Sequence, residues 1–212
     1  GVSTGYESYV NGTGSVGMGY QVATYGEYSI AMGGEAIAYG VGSISMGQQT
    51  YSGAHSSIAM GYDTSANGDT SISMGYKTIT SGYSSIAMGN ETIASGDNGS
   101  LAVGYQTTAS GISSVAMGYQ TISSGERSIA MGNNTTASGN NMLAIGQYNN
   151  TSTNALFVIG NGDSSNKSDA LIVDDSGNLI VNEHTQLQDT SINHLEISGN
   201  LFMNNCIASG EN

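Results

Sequence analysis

The stretch SIAMGY at residues 57–62 decides the fold, because near-copies of it recur along most of the chain. Its glycine returns every 14 residues, with a single step of 15 between Gly89 and Gly104. A fixed period of this length, sustained over about 150 residues, is typical of stacked identical units and not of an ordinary globular core. The recurring glycines are Gly19, Gly33, Gly47, Gly61, Gly75, Gly89, Gly104, Gly118, Gly132, Gly146 and Gly160.

A second set of glycines lies about halfway between the first. Glycine adopts positive φ at little steric cost, so both sets predict tight corners that separate two short strands in each unit. Successive units then stack as parallel strands roughly 4.8 Å apart, which makes an all-β parallel roll of 14-residue coils. The second set comprises Gly12, Gly26, Gly40, Gly53, Gly68, Gly82, Gly96, Gly111, Gly125 and Gly139.

The alternation of side chains along each strand predicts which residues point into the coil. We expect Ile58 and Met60 to point inward and Ala59 to point outward, with Thr64 and Ala66 inward on the second strand. The position of Ala59 holds a small residue in nearly every coil. We attribute this to the close approach of another chain, which predicts self-association as a cyclic homo-oligomer.

Two of the units, SIAMGNETIASG at 85–96 and SIAMGNNTTASG at 128–139, resemble the head repeat of trimeric autotransporter adhesins, the YadA-like head. The resemblance covers roughly residues 10–162. It implies a left-handed parallel β-roll, three chains side by side, and an adhesive role on a surface. That role predicts a host surface protein or glycan as partner and an extracellular location on a cell or virion.

Three segments are expected: a degenerate first coil at 1–18, head repeats at 19–160, and an acidic, β-rich connector or stem at 161–212. The run ALFVIGNGDSSNKSDALIV at 155–173 resembles a joint found in phage and viral tail-fibre proteins, and in some bacterial surface proteins, that carry these head repeats. The alternative function is therefore a tail fibre or a tailspike that binds or degrades glycans. We also expect the chain to be a piece of a longer polypeptide whose anchor lies elsewhere.

The formal net charge of −13, from 16 acids against three cations, argues against nucleic acid or an anionic membrane as partner. Three histidines and one cysteine offer no zinc-like spacing, and no pair of carboxylates stands out, so we expect no enzyme activity, cofactor or metal site. Acidic corner residues are predicted to be solvated and to form no calcium-binding array. The histidines are His55, His184 and His194, and the cysteine is Cys206. The acidic corner residues are Asp63, Asp69, Asp97 and Asp163.

Tyrosine follows the recurring glycine in five coils, which predicts an exposed aromatic ladder. Such a ladder could contact a sugar or a protein receptor, or its rings could simply shield the corner backbone and each other. The ladder residues are Tyr20, Tyr62, Tyr76, Tyr105 and Tyr119.

Overall fold

The structure, a computed structural model, describes residues 1–151 and 154–182. Within these residues the chain forms strands and turns without a helix, and each coil of about 14 residues contributes one five-residue strand and one two-residue strand. The prediction of an all-β parallel roll is confirmed. The long strands form one sheet and the short strands form another, so the two sheets are opposite walls of a single thin roll.

The strands alternate long and short through most of the described chain. The long strands are β1 (Val2–Tyr6), β3 (Val16–Tyr20), β5 (Ile30–Gly34), β7 (Ile44–Gln48), β9 (Ile58–Tyr62), β11 (Ile72–Tyr76), β13 (Ile86–Asn90), β15 (Leu101–Tyr105), β17 (Val115–Tyr119), β19 (Ile129–Asn133) and β21 (Leu143–Gln147). The short strands are β2 (Tyr9–Val10), β4 (Ala23–Thr24), β6 (Ile37–Ala38), β8 (Tyr51–Ser52), β10 (Ser65–Ala66), β12 (Ile79–Thr80), β14 (Ile93–Ala94), β16 (Thr108–Ala109), β18 (Ile122–Ser123) and β20 (Thr136–Ala137). The described chain ends with β22 (Ala155–Asn161), β23 (Asp169–Asp174) and β24 (Leu179–Val181).

Each long strand pairs in parallel with its equivalent in the next coil, so every repeat position forms a column along the roll. Ile58 pairs with Ile72, and Gly61 with Gly75. The single extra residue of the period lies in the corner at 97–99, where Asn98 and Gly99 both have positive φ. The strands on either side keep their alignment, because the additional residue adds only to the turn.

The interior of the roll contains the small residues, so the predicted direction of the long-strand side chains was wrong. Ala59 is fully buried, whereas Ile58 and Met60 face outward and are only half-buried. The inward prediction for Thr64 and Ala66 is confirmed, because both are buried. One coil is too thin to enclose two facing rows of large side chains. The row is small because it is inside, and not because another chain approaches it.

Hydroxyl groups line much of this narrow interior. Ser45 and Thr50 form a hydrogen bond of 2.8 Å between their side-chain oxygens, and Ser73 and Thr78 do the same. In five other coils the residue opposite the threonine is alanine, and the threonine hydroxyl has no hydrogen-bond partner. The alanine–threonine pairs are Ala59 and Thr64, Ala87 and Thr92, Ala102 and Thr107, Ala116 and Thr121, and Ala130 and Thr135.

The two sets of glycines have different causes, which corrects the prediction that both supply positive φ. Gly75, in the first set, has φ of 130°, and an added Cβ would overlap with the carbonyl oxygen of Gly89. Gly68, in the second set, does not have positive φ, but its Cβ would overlap with the carbonyl oxygen of Gly82. The second set is therefore required by the close approach of neighbouring coils.

One member of the predicted second set was also assigned to the wrong position. An added Cβ on Gly40 would overlap with the carbonyl oxygen of Ala54, so Ala54 and not Gly53 occupies this column in the next coil. Positive φ also occurs at non-glycine corner positions, which are occupied mainly by polar residues, among them Asp63 and Thr70.

The parallel stacking ends where the chain reverses after β22. Strand β23 pairs antiparallel with β22, and β24 pairs antiparallel with β23. Ile172 packs against a buried cluster that includes Met142 and Val158, which attaches this hairpin to the last coils. The rest of the predicted β-rich connector or stem, residues 183–212, lies outside the described residues.

Candidate interaction surfaces

The outer face of the long-strand sheet carries two continuous apolar columns. One column contains the isoleucine of each repeat, and the other contains its methionine. Methionines from Met18 to Met88 occupy six successive coils in register. Met88 is 39% exposed although its side chain is entirely apolar. A single chain therefore exposes a long apolar face, which is unusual for a stable soluble surface.

The outer face of the short-strand sheet is also partly apolar. Ile79, Ile93 and Ile122 occupy equivalent positions and are about 40% exposed, with Ile122 at 43%. Other coils have threonine, serine or tyrosine at this position, so this second face is less uniform than the first. The methionine and isoleucine columns of the long strands are thus the more extensive apolar surface.

The predicted tyrosine ladder lies on the outside of the roll but is not continuous. Tyr62 stacks on Tyr76 with ring centroids 5.4 Å apart, and Tyr105 stacks on Tyr119 at 5.0 Å. Tyr20 stacks at 5.5 Å on a ring that the ladder prediction omitted, Tyr6. The structure therefore arranges this column as three separate pairs. Within each pair one ring face is covered by its neighbour.

A second aromatic group, absent from the sequence prediction, lies near the first coils. Tyr25 contacts Tyr9 on one side and Tyr39 on the other, with centroids 5.5 Å apart and planes tilted by 48° and 44°. All three rings are exposed. The sequence does indicate an aromatic-rich region here, since seven of the 13 tyrosines fall within residues 1–51. The group was missed because Tyr9 belongs to a different repeat position from Tyr25 and Tyr39.

A polar column runs beside the tyrosines, two positions after the recurring glycine. The Gln21 amide donates to Glu7 at 2.6 Å, and the Gln49 amide donates to Glu35 at 3.2 Å. Acids occupy alternate coils of this column at Glu7, Glu35, Asp63 and Glu91. An amide or a lysine separates each acid from the next, so like charges are never direct neighbours.

Two acids at the other corner, Asp69 and Asp97, share a repeat position that differs from that of Asp63. Asp69 accepts a hydrogen bond from the main-chain N–H of His55, and Asp97 accepts the equivalent bond from Tyr83. These carboxylates therefore satisfy the backbone of the preceding coil. They are two coils apart.

Among residues 1–151 and 154–182, no group of three or more His, Cys, Asp or Glu side chains is placed to hold a metal ion. His184, His194 and Cys206 lie outside these ranges. Asp163 accepts hydrogen bonds from the main-chain N–H groups of Ser165 and Asn166, and these bonds hold its pKa below the usual value. It thus serves as an ionised turn residue.

Two open hollows flank the joint between the roll and the hairpin. One, of about 430 Å³, includes Asp175 as its single carboxylate. The other, of about 450 Å³, includes Asp163 together with Lys167. Glycoside hydrolysis ordinarily uses two carboxylates that flank the scissile bond, and neither hollow contains such a pair.

No helix that could cross a bilayer occurs in the described part of the chain. The search of curated proteins found no match. A family model, described as the YadA head domain repeat in two copies, matches residues 25–50, 53–78, 81–99, 98–121 and 123–152. That family consists of surface-exposed adhesin domains, and its heads generally form homotrimers. The matched segments cover more than half of the chain and coincide with the stacked coils, so this chain belongs to the YadA head-domain family.

Proposed function

We propose that this chain forms the head of a homotrimeric, left-handed β-roll fibre that attaches to a protein or glycan on a host surface. The observation that carries the proposal is the exposed apolar face formed by the isoleucine and methionine columns. Membership of the family supports an adhesive role and an assembly of three chains. In this chain the isoleucine and methionine columns form an apolar surface along the roll, and a partner of the same length would be needed to bury it.

The apolar columns favour a second copy of the same chain as that partner. The methionine column contains no charged residue from Met18 to Ile145, and its members differ only in size. Burial of each half-exposed side chain would contribute about 25 cal/mol per Å² removed from water. Because every chain carries the same columns, a closed cyclic assembly can bury the apolar face of each chain and leave none exposed. Methionine suits such a contact because its flexible side chain fills irregular gaps.

Assembly can be tested by placing a charge in the column. Sedimentation equilibrium of the parent at micromolar concentration should give three chains per particle. Met88→Asp should produce monomers or a large loss of affinity, since a carboxylate stripped of water without a partner is costly. Asn67→Asp is the matched control, because Asn67 is an exposed corner residue that adds the same charge elsewhere. A monomeric parent, or a Met88→Asp variant that assembles like the control, would refute this interface.

Attachment can be tested separately on the tyrosine pairs. Replacement of Tyr62, Tyr76, Tyr105 and Tyr119 by alanine should lower binding to host cells or glycan arrays while the trimer persists. The exposed edges and hydroxyls of these rings would then be the contact groups, because one face of each ring is covered within its pair. Unchanged binding would show that the pairs only shield the corner backbone.

A tail fibre on a virion is the second candidate function. The sequence of residues 155–173 favours it, and this run forms the joint at which the chain reverses into the antiparallel hairpin. A glycan-binding role suits this alternative better than glycan cleavage, given the single carboxylate in each hollow at that joint. Electron microscopy of the native particle with an antibody against the roll would distinguish a virion from a cell surface.

A further inference from the structure

Tyr20 has a ring face that no neighbouring side chain of the tyrosine column covers. Tyr20 stacks on Tyr6 through one face, and its other face is directed toward the next coil, where its register partner is Gly34. The following member of the column is Gln48. Coils are roughly 4.8 Å apart, so about twice that distance separates Tyr20 from Gln48 along the column. The missing side chain leaves a slot wide enough for one planar group.

The fold itself does not require glycine at this position. Gly34 does not have positive φ, and an added Cβ would meet only Gln48 Cγ, at an ordinary contact distance of 3.8 Å. Its chain neighbour Gly33 differs, since a Cβ there would overlap with the carbonyl oxygen of Gly47. A larger side chain could thus occupy position 34, as tyrosine, asparagine or glutamine does in the other coils.

The residue next to Gly34 in the chain carries a carboxylate. Glu35 follows Gly34 directly, and its main-chain N–H donates to the carbonyl oxygen of Tyr20 at 2.8 Å. Its carboxylate accepts one hydrogen bond, from Gln49 at 3.2 Å, and is otherwise exposed. An ionised carboxylate has room for further donors, so it can pair with a cation that enters beside the ring.

The molecule already contains one cation on a ring of this column. Lys77 occupies the same repeat position as Glu35, and its Nζ lies 5.4 Å from the centroid of the Tyr76 ring. In residues 1–76, by contrast, there is no Lys or Arg, while Glu7, Glu27 and Glu35 add negative charge near the first coils. A cation for the Tyr20 face must therefore come from another part of the chain or from another molecule.

We propose that the Tyr20–Gly34–Glu35 slot binds the guanidinium group of an arginine from a partner protein. The planar guanidinium stacks on the open face of Tyr20 and directs two N–H donors to the Glu35 carboxylate. Arginine fits better than lysine, because a planar cation fills a flat slot and its fork matches a carboxylate. The same slot rejects anionic partners. This site goes beyond the proposed assembly, since its residues belong to one chain.

The proposal can be tested with acetyl-Gly-Arg-Gly-amide as probe, using saturation-transfer NMR to detect weak binding to the intact protein. The peptide should bind in the millimolar range, and its citrulline and lysine counterparts should bind more weakly. Gly34→Gln restores a side chain to the slot, and should lower the affinity about tenfold. Glu35→Gln should also weaken binding and remove most of its salt dependence. Asn133→Gln, at the same repeat position in a distant coil, should leave binding unchanged.

Equal binding of the arginine and citrulline peptides would overturn the proposal, because the charge would then be irrelevant. So would a Gly34→Gln variant that binds like the parent, since the slot would not be the site. Sedimentation of the same samples reports assembly independently. Loss of peptide binding with parental mass supports the slot, and an unexpected mass bears only on the proposed trimer.

Discussion

Adding a hydroxyl group to the interior of the roll at Ala87 should stabilise the protein. Thr92 Oγ1 is buried opposite Ala87 without a hydrogen-bond partner. In the preceding coil the same two positions hold Ser73 and Thr78, whose oxygens are 2.8 Å apart. Ala87→Ser should reproduce that bond. A net intramolecular hydrogen bond stabilises by about 0.5–1.5 kcal/mol, and leaving a buried partner unsatisfied costs about 1–3 kcal/mol.

We expect Ala87→Ser to raise the free energy of unfolding by about 1 kcal/mol, because the new serine must itself lose water. For a chain of this size that corresponds to a rise in Tm of about 2–4 °C. Thermal melting by circular dichroism, at one fixed protein concentration, measures the shift. The concentration must be fixed because assembly makes the melting temperature depend on it.

The matched control is Ala31→Ser. Ala31 is fully buried at the same repeat position, but the residue opposite is Ala36, which has no hydroxyl group. The new serine would lack the side-chain partner that Thr92 provides, so Tm should fall. The reasoning is refuted if Ala31→Ser and Ala87→Ser shift Tm in the same direction by similar amounts. Ser73→Ala provides the reverse test, since it leaves Thr78 without its partner and should lower Tm.

Two further predictions concern the glycine columns and the joint. Gly75→Ala should destabilise the roll by several kcal/mol, because Gly75 has φ of 130° and the new Cβ would overlap with the Gly89 carbonyl oxygen. Gly34→Ala is the control and should be nearly neutral. Equal denaturation midpoints for the two variants would contradict the roles assigned to these glycines. The pKa values of Asp163 and Asp174 are lowered by hydrogen bonds to their carboxylates, so their stabilising effect should be complete above the ordinary value of 3.8 and disappear as pH falls further through the lowered values. Protection of the joint amides from hydrogen exchange, measured relative to the intrinsic rate at each pH, should therefore fall at acidic pH in the parent and much less in Asp174→Asn.

The period and register of the roll could be predicted from the sequence because each repeat position forms one column. The spacing of Gly61 and Gly75 gives the strand alignment directly, since equivalent residues pair. The extra residue near Asp97 could likewise be assigned to a corner, because an insertion in a strand would have reversed the direction of every later side chain. Because equivalent residues of successive coils lie next to each other, the repeat length alone predicts the strand register, without knowledge of side-chain packing.

The direction of the side chains could not be predicted in the same way. Alternation places Ala59 on one face and Ile58 and Met60 on the other, but it does not say which face is inside. Large apolar residues usually belong to the core, and that expectation fails in a roll too thin to contain them. The size of the interior depends on the distance between the two strands of a coil, and no feature of the repeat states that distance.

The tyrosine ladder was predicted in position but not in arrangement. The interruptions at Gly34 and Asn90 are visible in the sequence, so the division into pairs could have been anticipated. The contacts of Tyr25 with Tyr9 could not, because these two residues belong to different repeat positions and approach diagonally. Comparing residues at equivalent repeat positions predicts stacking only between members of the same column, so a diagonal contact between two columns is missed.

The contact of each coil with only its two neighbours makes the length of the rod adjustable in whole steps. Removal of 14 consecutive residues, such as 62–75, would rejoin equivalent points of two coils and shorten the rod by about 4.8 Å. Removal of seven residues would instead put long-strand residues at the position of a short strand in the next coil. Gene duplication or loss of one repeat can therefore change how far such a protein reaches from its base while every other coil keeps its structure.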